Sequence, residues 1–70
     1  MEEDILPLLW KLEALAREGA VVLLKMDGER LDNLFTVLIS RGPDESFRKD
    51  GTDVRALLTE ALTWAEQPRP

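Results

Sequence analysis

The apolar positions of this chain fall into blocks with different periods. Over residues 4–18, Ile5, Leu8, Leu9, Leu12, Leu15 and Ala16 recur at steps of three and four, which predicts a helix. Asp4 is placed to cap its start and Pro7 falls in the first turn, where a missing N–H costs little. Gly19 is a natural residue just past its end. The next block, Ala20–Met26, is short, apolar and partly β-branched, and lies between Gly19 and Asp27-Gly28, so it reads as a strand. Both of its faces are apolar, with Val22, Leu24 and Met26 on one and Val21 and Leu23 on the other. Such a strand is covered on both sides or lies under a partner.

Residues 34–40 admit two readings. As a strand they align Phe35, Val37 and Ile39, and Thr36, Val37 and Ile39 favour extended backbone. As a helix, Leu31, Leu34, Phe35, Leu38 and Ile39 fit the 3.6-residue period, with Asp27 as cap and Gly42 as stop. The strand is adopted here. Arg41-Gly42-Pro43-Asp44 is a turn, and a short third strand over 46–49 sets Phe47 inward. The clearest helix covers 53–66, where Val54, Leu57, Leu58, Ala61, Leu62 and Ala65 form one stripe, Thr52 is the N-cap and Asp53 favours the N-terminal dipole. The expected fold class is therefore α+β in two layers: helix, three-stranded antiparallel meander, helix, with both helices on one sheet face. Its core is Val22, Leu24, Met26, Phe35, Val37 and Ile39. Residues 1–66 form one small domain in this reading, and 67–70, with two prolines, a disordered tail.

The element order is similar to that of the double-stranded RNA-binding domain, but the basic patch which that family carries at the start of its second helix is missing. The step Gly51-Thr52-Asp53 resembles the entry into the helix of HicB-type antitoxins. That likeness spans only part of the chain, and neither family is assigned.

Composition narrows the chemistry more than it narrows the fold. Among seventy residues there is no histidine, cysteine or tyrosine. Without imidazole there is no ready proton shuttle near neutral pH, and without thiolate no soft metal ligand or sulfur nucleophile. Ser40 and Ser46 stand in no nucleophile motif, and a chain of this size has little room for a cleft that holds two carboxyls at a set separation, so no enzymatic activity is expected. The acids Asp27, Glu29 and Asp32 share one loop with Gly28, but their spacing is not that of an EF-hand; no metal and no cofactor is expected. The formal net charge of −5 opposes bulk attraction to phosphate. Lys25, Arg30, Arg48 and Lys49, with Phe35 or Phe47 to stack a base, are the residues on which nucleic-acid binding would rest, and it is not expected. The acidic N-terminus lacks the basic region of a signal peptide and no apolar run is long enough for a membrane span, so a cytoplasmic location fits.

Size supplies the functional expectation. A small domain without disulfide or metal is stabilised by an unusually good core or by a partner chain. Two surfaces are candidates. One is the reverse sheet face, with Val21, Leu23, Leu34 and Leu38 diluted by Lys25, Thr36 and Ser40. The other is Leu6 and Trp10, on the side of the first helix nearly opposite its core stripe; Trp is enriched at interface hot spots. Trp64 reads instead as partly buried packing beside Leu57. The expected function is a small non-enzymatic interaction domain that forms a homodimer or takes an unidentified protein partner. The alternative is a regulatory or antitoxin-like accessory protein that binds nucleic acid or a nuclease. The two separate on geometry. The first needs Trp10 and the reverse sheet face exposed, and the second needs the middle basic residues on one face.

Overall fold

In the computed structural model, which describes residues 5–29 and 31–67, five elements follow one another: α1 (Leu6–Arg17), β1 (Val21–Met26), β2 (Phe35–Ser40), β3 (Ser46–Gly51) and α2 (Val54–Glu66). The α+β order of helix, antiparallel meander and helix is the one expected. Residues 35–40 are a strand, not a helix. Val37 and Ile39 are fully buried two positions apart, a spacing that a strand can present to a single covering layer.

Each junction has a local cause. At the end of α1, Gly19 takes a φ of +110°, its N–H donates to the Ala16 carbonyl at 3.0 Å, and the Ala20 N–H donates to the Leu15 carbonyl at 3.1 Å. These are the paired bonds of a Schellman end, and the left-handed backbone favours glycine. Gly42, with φ +138°, plays the same conformational part in the turn between β2 and β3. Ile5 precedes α1 without a side-chain cap, and the proposed cap Asp4 lies outside the described residues. The cap of α2 is corrected by one position. Asp53, not Thr52, accepts the Ala56 N–H, at 3.2 Å. Thr52 Oγ1 instead accepts the Asn33 N–H at 3.2 Å and ties the β1–β2 loop to the head of α2. Both residue types cap well; the helix begins at Val54, so the residue just before it takes the role.

The sheet order is β1-β2-β3, antiparallel throughout, with Leu23 opposite Leu38 and Leu38 opposite Arg48. Two further bonds continue the ladders: Asp27 N–H to the Leu34 carbonyl and Arg41 N–H to the Glu45 carbonyl, each 2.8 Å. They set the phase of the hydrogen bonding. Odd-numbered residues of β1 and β3 bond to β2, so the backbone groups of Val22, Leu24 and Met26, and of Ser46, Arg48 and Asp50, face out from the two edges.

Both helices pack on the face that carries Val37 and Ile39. α1 stands over β1, α2 stands over β2 and β3, and the helices touch each other. Buried residues of all these layers meet: Leu12 from α1, Val37 and Ile39 from β2, and Leu57, Leu58, Ala61, Leu62 and Ala65 from α2. Val22, Leu24, Phe35 and Phe47 are half-buried around them. Met26, expected in this core, is exposed. It ends an edge strand that is paired on one side only, so alternation sets the face it stands on without setting its cover. The third strand extends beyond 49 to Gly51, where an added Cβ would meet Leu57 Cδ1 at 3.3 Å, so the close approach of β3 to α2 uses the glycine. Gln67, expected in the tail, closes α2 as its C-cap, and residues 68–70 lie outside the described chain.

Two outcomes follow. Leu58→Ala removes a fully buried side chain at the centre of the core and should lower stability by about 2–5 kcal/mol, read as a lower urea midpoint at unchanged slope. Asp53→Ala should cost about 0.5–2 kcal/mol and remove hydrogen-exchange protection at the Ala56 amide, whereas Thr52→Ala should leave that amide protected.

Candidate interaction surfaces

Strand alternation and register build the reverse sheet face as three cross-strand rows: Val21, Ser40 and Ser46; Leu23, Leu38 and Arg48; Lys25, Thr36 and Asp50. The rows divide it into two halves. Toward β1, Val21 is 61% exposed and Leu23 50%, with Leu38 half-buried beside them and Leu34 half-buried just ahead of β2. Toward β3 the face is polar. Thr36 Oγ1 donates to Asp50 Oδ1 at 2.6 Å, and Arg48 lies 3.6 Å from the same carboxylate. Thr36 is consequently buried, although it stands on the side away from the helices. Lys25, Thr36 and Ser40, the polar residues expected on this face, belong to β1 and β2. The polar residues of β3 also belong to this face, because β3 pairs along the full length of β2.

Trp10 is 62% exposed, and Leu6, one turn before it, is also exposed. Trp10 follows from its phase: it lies two residues, or about 200°, round the helix from the buried Leu12. It therefore sits on the outside of the helix layer. Leu6 and Trp10 come together, and so do Val21, Leu23 and Leu38, but the two groups occupy opposite sides of the molecule; Leu34 is on the same face as the second group and is separated from it by the row of Lys25 and Thr36. Leu31 is fully exposed in the β1–β2 loop. The sequence pattern had a use for it only in the helical reading of that segment.

The basic residues are dispersed. Lys25 and Arg48 are on the reverse face, where Lys25 lies 3.9 Å from Asp27. Lys49 is on the helix side and pairs with Glu60 at 2.6 Å. Arg41 is taken up at the end of α2, where its Nη2 donates to the Ala65 carbonyl at 2.6 Å and its guanidinium lies 5.6 Å from the centre of the Trp64 ring. Trp64 also meets Phe47 at 5.7 Å between ring centres. This cluster bears out Trp64 as packing, and it gives Arg41 a role that its place in a turn sequence did not disclose. Arg30 lies outside the described residues.

Two depressions flank the helix layer. One, of about 390 Å³, lies in the bend between α1 and β1 and sets Arg41 beside Glu18 and Glu45. The other is a groove between β3 and α2, about 550 Å³, lined by Phe47, Lys49, Glu60, Thr63 and Trp64. It is prolonged toward Gly51 and Asp53 by a further 300 Å³ that shares Lys49, Ala56 and Glu60. Asp27, from the acidic loop, accepts the Glu29 N–H at 3.0 Å. Among the described residues no three Asp or Glu converge to hold a metal ion, and no helix is long and apolar enough to cross a membrane. Comparison of the chain with known protein families, with curated proteins and with solved structures finds no match to any of them.

Proposed function

We propose that this chain is a small, non-enzymatic protein-interaction domain that associates with a second copy of itself. The observation that carries the reading is the uncovered apolar half of the sheet. Val21 and Leu23 stand in the open on a strand whose other face is packed under a helix. With Leu38 they form an apolar patch of the kind that marks an interaction site on a small protein, and Leu34 stands apart from it beyond Lys25 and Thr36. Exposed Trp10 with Leu6 adds a second apolar surface of the residue type enriched at hot spots. Both features were the geometric requirement for a protein binder. The requirement for a nucleic-acid binder was basic residues gathered on one face, and Lys25, Arg48 and Lys49 are instead split between the two faces, each within 4.0 Å of a carboxylate. A protein partner therefore fits these surfaces better than a polyanion does.

Sedimentation velocity across a dilution series of the full chain tests the reading. A dimer should predominate at micromolar concentration and dissociate on dilution. A monomer that persists at high concentration would overturn self-association. At a dilution where the chain is monomeric, Leu23→Lys should leave the thermal midpoint nearly unchanged, because surface substitutions stay within about ±0.5 kcal/mol, and a loss of fold in that variant would show that the patch belongs to the core.

A further inference from the structure

The two sheet edges differ in what stands over them. β1 and β3 are the edge strands, and each turns the backbone groups of its even-numbered residues outward. An exposed edge of this kind is a template for another strand. The helix layer decides which edge is reachable. α2 packs on β2 and β3 alike, while the backbone of α1 comes close to β1 and α2, with Leu12 reaching in to the buried residues of β2. Helices pack about 8–10 Å apart and strands about 4.8 Å apart. With α2 between β2 and β3, α1 lies at or outside β1, and a strand added there would drive a second α1 into the space of the first. On the other flank α2 sits inside β3, and the groove lined by Phe47, Lys49, Glu60, Thr63 and Trp64 runs open over that edge.

We infer that a second copy of this chain pairs with the β3 edge, antiparallel, to make one continuous sheet in which the α2 of each copy closes the groove of the other. The inference rests on the self-association proposed above, places the contact between copies at the β3 edge, and leaves the apolar half of the reverse face and the Leu6–Trp10 surface to a further protein partner.

Charge selects the register. Outward-facing residues must pair with one another, so the centred choices are Arg48 on Arg48, Asp50 on Asp50, or Arg48 on Asp50 of the second copy. The first two set like charges directly across, which destabilises a strand pair. The third sets opposite charges across twice, because a twofold axis repeats the contact. It also brings Phe47 opposite Gly51 of the second copy, where no side chain stands in the way of the ring. An inward-facing charge normally guards an edge. Lys49 is such a charge, and this register sets it directly across from Lys49 of the second copy; Glu60 lies 2.6 Å from Lys49 within each chain, so the four charges that meet at the axis sum to zero. The helix layer fits the same arrangement. If α2 stands half a strand spacing inside β3, and the axis half a spacing outside, the two α2 helices come about 10 Å apart, an ordinary packing distance. Antiparallel pairing about Glu60 then sets Trp64 of one copy against Ala56 of the other, large against small.

The test measures the dimer dissociation constant of the full chain by sedimentation, with secondary structure followed by circular dichroism. Arg48→Pro removes an N–H that faces out of the chain's own ladder, a position where edge strands tolerate proline. Thr63→Arg places a long cation at an exposed position in the groove. Each should weaken the dimer at least tenfold with an unchanged spectrum; if Arg48→Pro loses its fold, Thr63→Arg decides alone. A dimer left intact by these changes and dissociated by Leu23→Lys or Trp10→Ser would overturn the β3 pairing and leave self-association standing. A dimer that none of the variants shifts would also overturn it. A wild-type chain that stays monomeric throughout would remove both.

Discussion

The structure depends on the contact between the middle of β2 and the middle of α2. Val37, Ile39 and Leu58 are fully buried there, and every other element is arranged around them. β1 and β3 are held by pairing to β2, and α1 completes the layer by leaning on β1 and α2. A domain of this size has little apolar area to bury and correspondingly little margin. Its interior is therefore concentrated on one strand and one helix. Among the described residues, five of the eight fully or nearly fully buried apolar ones come from α2 alone.

Such concentration explains which parts of the fold were legible in the sequence. The stripe Leu57, Leu58, Ala61, Leu62, Ala65 announces α2 because nearly all of it is used. The Schellman end at Gly19 and the turn at Gly42 are legible because only a residue free of a Cβ adopts their backbone at low cost. Residues 34–40 were ambiguous because Leu34, Phe35, Leu38 and Ile39 satisfy the helical period as well as alternate positions satisfy a strand; only the pairing on both sides of β2 decides. Met26 was misplaced because alternation gives a face but not its cover. Asp53 and Thr52 exchanged roles because both cap well and the start of the helix is known from sequence only to within a residue or two.

The surfaces divide in the same way. Leu6 and Trp10, and Val21 and Leu23, were readable from phase alone. That the two groups lie on opposite sides required the knowledge that α1 covers β1. The polar half of the reverse face was not readable, because it comes from a strand whose partner and register no local pattern supplies. The groove beside β3 and the Arg41–Trp64–Phe47 cluster were hidden for the same reason. Arg41 and Ala65 are 24 residues apart, and only the finished sheet sets one at the end of the other's helix.

The lopsided cover of the sheet has a kinetic side. Most of the contacts in this molecule join neighbours along the chain: α1 with β1, β1 with β2, β2 with β3, and β3 with α2. Among the described residues, only the packing of α1 on α2 links the two ends. Chains rich in such local contacts fold quickly, because little loop-closure entropy is spent before contacts begin to form. The meander and α2 hold most of the core among themselves, while α1 contributes a single buried residue, Leu12. The first helix is thus the natural last arrival in folding and the first to leave in local opening. Its departure would uncover Val22 and Leu24 and turn the closed flank of the sheet, for a moment, into an open edge.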